Sequence, residues 1–114
     1  AWGELQSAEL LRAGGRYASA LFHCHLAVEK ALKSLYMERH CKDAPLTHDL
    51  LQIALHIQDV WTKEEKMLFA DLTEYAVAAR YDDPFWAERE ATDENVRGRL
   101  ERINTLFSTL FHAS

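Results

Sequence analysis

Apolar positions recur at helical spacing along almost the whole chain. Leu5, Ala8 and Leu11 (or the stem of Arg12) form one face of a first helix, from about Trp2 to Ala13. Gly14-Gly15 closes it, since helix C-termini favour Gly. The row Tyr17, Leu21, Cys24, Val28, Ala31 and Leu35 steps 4-3-4-3-4. It predicts the longest helix, from Arg16 to Arg39, about 35 Å long. That stepping suits bundle packing at about 20°.

Cys41 to Leu46 reads as a loop, because Pro45 cannot continue a helix. Thr47 is predicted to cap a third helix that runs to about Val60 and presents Leu50, Ile53 or Ala54, Ile57 and Val60. Thr62-Lys63-Glu64-Glu65 fits a capping box. It opens a fourth helix bearing Leu68, Leu72, Tyr75, Ala76 and Ala79, stopped by Asp82-Asp83-Pro84. A longer connection follows, with Phe85 and Trp86 exposed unless it folds back. Thr92 then caps a last helix with Val96, Leu100, Ile103, Phe107 and Leu110 on one face. The expected fold is all-α: an antiparallel up-and-down four-helix bundle with a short extra helix, a single domain over residues 1–114. Phe22, Leu26, Met37 and Phe69 exceed what one seam needs, which predicts a homodimer.

Composition narrows the function classes. With 114 residues the chain has room for one core. Acidic residues outnumber basic ones 18 to 13, a net charge of −5. Non-specific nucleic-acid binding, which draws on Lys and Arg displacing counterions, is therefore disfavoured. No apolar run approaches the roughly 18 residues of a membrane span. No signal-peptide pattern opens the chain, which begins at Ala1 rather than Met, and two cysteines suggest no disulfide framework. A cytoplasmic location is expected.

Six histidines raise the question of a metal, but no His pair stands at i, i+4 and no CxxC exists. No metal and no cofactor are expected. His25 and Glu29 are more informative, lying on the otherwise apolar strip Ala18, Phe22, Leu32 and Tyr36. They read either as a mutually satisfied pair, His25 donating to Glu29, or as the polar floor of a groove or dimer contact. Lys30 and Lys33 occupy a neighbouring face, with Glu29 and Lys33 at the favoured i, i+4 orientation. His48 has no partner assignable from sequence, and Asp49 suits a helix N-terminus. Arg80 falls in the last turn of the fourth helix, where a cation suits the exposed carbonyls.

Four segments carry a family resemblance. Ala27-Val28-Glu29-Lys30-Ala31-Leu32-Lys33-Ser34-Leu35 resembles the A-x-E-K-A-L-K-A-L core of the HEPN domain (higher eukaryotes and prokaryotes nucleotide-binding). Gly15-Arg16-Tyr17, Thr47-His48-Asp49-Leu50-Leu51 and Ala79-Arg80-Tyr81-Asp82 follow in the family's order. Asp82 stands where the family usually has Pro, and the chain's own Pro is delayed to Pro84.

The resemblance implies an all-α bundle, commonly a homodimer, often encoded beside a small nucleotidyltransferase in a two-component, toxin–antitoxin-like system. The expected role is an accessory subunit that binds a nucleotide or phosphate; the expected site is Lys30, Lys33 and Arg80, whose charge suits phosphate oxygens, and Tyr81, which suits stacking on a base, with polar support from His25, Glu29 and His48. Many members are metal-independent ribonucleases with an R-x(4–6)-H motif. Counting from Arg80, the permitted positions hold Phe85, Trp86 and Ala87, so no catalytic residue is assigned and no ribonuclease activity is expected. Arg16 to His23 is the one formal match, at the wrong end of the second helix. The remaining alternative is a pure protein–protein interaction module.

Overall fold

A computed structural model of the chain describes residues 2–58, 60–79 and 84–111, with only the backbone of Pro84. The described residues form six α-helices and no strand: α1 (Trp2–Ala13), α2 (Tyr17–His40), α3 (Leu50–Ile57), α4 (Lys63–Val77), α5 (Pro84–Glu90) and α6 (Asp93–Phe111). The fold is all-α. Helix α2 is its axis, packing against α1, α3, α4 and α6. The predicted seam explains why: Leu21, Cys24, Val28, Ala31 and Leu35 are all buried, and Tyr17 is half-buried at the end of the row. Side chains from all six helices join one apolar cluster.

The turn after α1 shows how few residues can reverse this chain. Arg16 N–H donates to the Leu11 carbonyl at 2.8 Å and Gly15 N–H to that of Arg12 at 3.0 Å. This pairing needs a left-handed residue, and Gly15 supplies it at φ 75°. Helix α2 ends the same way on Cys41, at φ 53°. The capping box of α4 is complete: Thr62 Oγ1 accepts from Glu65 N–H at 3.0 Å and Glu65 Oε1 from Thr62 N–H at 2.8 Å. Thr92 caps α6 by accepting from Asn95 N–H at 3.2 Å.

Three expectations need correction. First, α3 starts later and stops earlier. Its cap is Asp49, whose Oδ1 accepts from Gln52 N–H at 3.2 Å, while Thr47 Oγ1 takes the Asp49 amide at 3.1 Å in a preceding turn. It ends at Ile57, which leaves Val60 exposed. Second, the connection after α4 contains a further helix, α5, because Pro at a first helical position begins helices as readily as it stops them. There Trp86 is half-buried against Tyr75, ring centroids 6.5 Å apart, and Phe85 is exposed. Third, Phe69 is not surplus surface. It is fully buried, edge-on to Trp61 at 5.2 Å. Trp61 itself is tied down by its indole N–H, which reaches the carbonyls of Ala54 and Gln58 at 2.9 and 3.0 Å.

Candidate functional site

His25 and Glu29 are the only polar residues among those described that are buried. A charge there needs partners, since removing an unpaired carboxylate from water is costly. Glu29 finds them outside its own turn. His48 Nδ1–H donates to both carboxylate oxygens at 3.0 Å, and Lys33 Nζ reaches Oε2 at 3.1 Å. Burial alone would raise the Glu29 carboxyl. The hydrogen bonds and charges of His48 and Lys33 outweigh it and hold the group below the ordinary carboxylate range.

His25 does not donate to Glu29 as its main contact. Its Nδ1 stands 3.7 Å from Glu29 Oε1, while its Nε2–H donates to the backbone carbonyl of His48 at 3.1 Å. The two α2 residues thus grip the segment before α3 from both sides. Leu50 N–H, the first amide of α3, donates to Thr73 Oγ1 on α4 at 3.1 Å. The start of α3 is thereby fixed against the second half of α4.

These contacts form one side of a groove of about 260 Å³. Its walls are Phe22 and Leu26 from α2 and Ala76 and Val77 from α4; its polar end is His25, Glu29, His48, Asp49 and Thr73. Phe22 and Leu26, read from sequence as dimer surface, are half-buried here. The His48 side chain is 79 % exposed, and with Nδ1 engaged on Glu29 its Nε2 has no partner among the described residues. An imidazole held by a carboxylate at one nitrogen and open at the other is the arrangement that positions a proton acceptor.

The sequence-assigned residues do not all converge. His25, Glu29, Lys33 and His48 come together. Lys30 does not: it lies on the α1-facing side of α2, paired with Glu4, whose carboxyl it holds down to about 2. Arg80 and Tyr81 lie outside the described residues, three and four positions after the groove residue Val77 in sequence. Asp49 and Thr73 were assigned no site role from sequence. The signal for Asp49 was its position, since Asp caps a helix as well as Thr does. Cys24 is a core residue whose burial pushes its thiol up to about 12, far from a reactive thiolate. Among the described residues no group of three or more His, Cys, Asp or Glu is placed to hold a metal ion, and no helix is long and apolar enough to cross a membrane.

A larger groove of about 490 Å³ lies between α6, the start of α4 and the α3–α4 connection, with Arg39, Trp61, Thr62, Glu65, Arg102 and Thr109 among its lining. Its polar groups have local duties. Thr62 and Glu65 cap each other's amides, Arg39 donates to Gln58 at 3.1 Å, and Arg102 pairs with Asp71 at 3.2 Å.

A family model described as the HEPN domain matches residues 1–108. No curated protein and no solved structure matches the chain.

Proposed function

The chain belongs to the HEPN domain family, and from that premise we propose that it acts as a nucleotide-binding accessory subunit beside a small nucleotidyltransferase, in a toxin–antitoxin-like pair. One observation carries the reading: the groove between α2, the start of α3 and the end of α4 joins apolar walls to a built polar end. Such a site suits a flat ring with polar edges. In this reading Arg80 takes phosphate oxygens and Tyr81 stacks on a base. Lys33, already paired with Glu29, contributes little free charge, and Lys30 acts from another face. The reading includes a homodimer, with the half-exposed Met37 as one of its surface residues. Calorimetry with ATP, GTP and a short RNA tests it. Saturable nucleotide binding is the expected result, and silence with every ligand leaves an interaction module alone.

A second reading, metal-independent RNA cleavage, is favoured by one observation. His48, assigned only polar support from the sequence, stands beside the second half of α4 with Nδ1 on Glu29. A general base so placed contributes roughly 10²–10⁴ in rate. We expect no cleavage of a defined RNA in the presence of chelator. Cleavage lost in both Arg80→Ala and His48→Ala would establish this second reading instead.

A further inference from the structure

Among the described residues, the charged oxygen still open at the groove is an acceptor. Asp49 spends Oδ1 on the Gln52 amide and has no partner at its other carboxylate oxygen among the described residues. His48 engages Glu29 through Nδ1, and its Nε2 has no partner among the described residues. Thr73 Oγ1 already accepts from Leu50.

Charge points the same way. Among the described residues, no Lys or Arg lines the groove. Lys33, one turn along α2 from Glu29, is paired with it. The positive end of α3, which would otherwise favour an anion, is occupied by Asp49. Among the described residues, a phosphate placed here would face the open oxygen of the Asp49 carboxylate. At about 260 Å³ the groove also falls just below the roughly 300–1,000 Å³ of sites that enclose a drug-sized ligand. It has room for one ring system.

We infer, on the nucleotide-binding reading above, that this groove takes the base of an amine-bearing nucleoside such as adenosine, base first, with any phosphate left outside. The ring lies between Phe22 and Leu26 on one side and Ala76 and Val77 on the other. The exocyclic amine donates to the open oxygen of Asp49. A carboxylate left facing a ring without that amine loses a charge-assisted hydrogen bond.

The test is calorimetry on the full chain with four probes: adenosine, AMP, purine riboside (adenosine without its amine) and inorganic phosphate. Adenosine and AMP are expected to bind. Purine riboside is expected to be weaker by at least about tenfold, the equivalent of one hydrogen bond to a charged group. Phosphate is expected not to compete. Asp49→Asn keeps the helix cap, because Asn caps as well as Asp, and should reduce the preference for adenosine over purine riboside to within about threefold. Ala76→Trp fills the groove and should abolish binding. Val77→Trp, at a 41 % exposed position, serves the same purpose if the first variant fails to fold by circular dichroism. AMP binding that survives both tryptophans overturns the groove assignment and leaves the nucleotide-binding reading intact. Equal binding of adenosine and purine riboside overturns the role of the amine. Failure of all four probes overturns the adenosine assignment, and silence with GTP as well overturns the nucleotide-binding reading.

Discussion

The two grooves of this protein differ in the opposite sense to their size. The larger, about 490 Å³, is lined by charged and hydroxyl groups that are solvated and serve local ends such as a helix cap or a surface ion pair. The smaller, about 260 Å³, borders the two buried polar side chains of the described chain. The difference teaches that volume is a poor guide to chemistry. Polar groups removed from water and satisfied by distant segments hold a geometry, whereas polar groups on a wet rim hold only themselves.

Four substitutions sharpen or break that contrast, all read as shifts of a urea unfolding midpoint. The largest effect is expected beside the larger groove, in its apolar underlay. Phe69→Ala removes the ring against Trp61 and should cost about 3–5 kcal/mol. Next comes Glu29→Gln at the smaller groove, at about 2 kcal/mol, because His48 and Lys33 lose a charged acceptor.

The Glu29 effect should depend on pH. Its folded-state carboxyl lies below the ordinary value, so the unfolded chain takes up the proton first as pH falls. The stabilisation is present at pH 7 and is lost as pH drops below about 4. The gap between the wild-type chain and Glu29→Gln should therefore hold from pH 7 to about pH 5 and narrow below that, and a gap constant down to pH 3 would break the comparison. Third, Thr62→Ala at the rim of the larger groove should cost about 1 kcal/mol through its cap alone. Last, Lys30→Ala, which breaks an exposed pair with Glu4, should stay within about 0.5 kcal/mol. A Lys30 effect equal to that of Glu29 would mean that burial does not separate the two faces of α2.

Sequence periodicity made the helices with one strong face legible. The seam of α2 and the faces of α1 and α6 are where the spacing put them, because each needs only local geometry and one buried side. The misreadings have tertiary causes. Phe69 looked unpartnered because its neighbour Trp61 sits in a connection with no periodicity of its own. Thr47 and Asp49 compete as caps on equal chemical terms, and only the path of the chain decides between them. Pro84 was read as a stop although its chemistry equally permits a start.

The candidate site was half visible. Glu29 and Lys33 follow from i, i+4 spacing, and the polar character of His25 on an apolar strip was plain. His48 is 19 residues from Glu29 in the chain, so no local rule could pair them. The separation of Lys30 from Lys33 likewise depends on where α1 docks.

The connection between α2 and α3 spans nine residues, 41–49, and contains no helix. A stretch of that kind invites proteases, yet its two halves are unequal. From His48 onward it is latched, by His25 on the His48 carbonyl, by the His48 ring on Glu29 and by Thr73 on the next amide. Ahead of the latch, Lys42 and the fully exposed Leu46 carry no such ties. A cleaving enzyme such as trypsin thus finds its entry at Lys42. The fragments it makes would stay together, because the bonds from His25 and Glu29 to His48 join one fragment to the other across the cut.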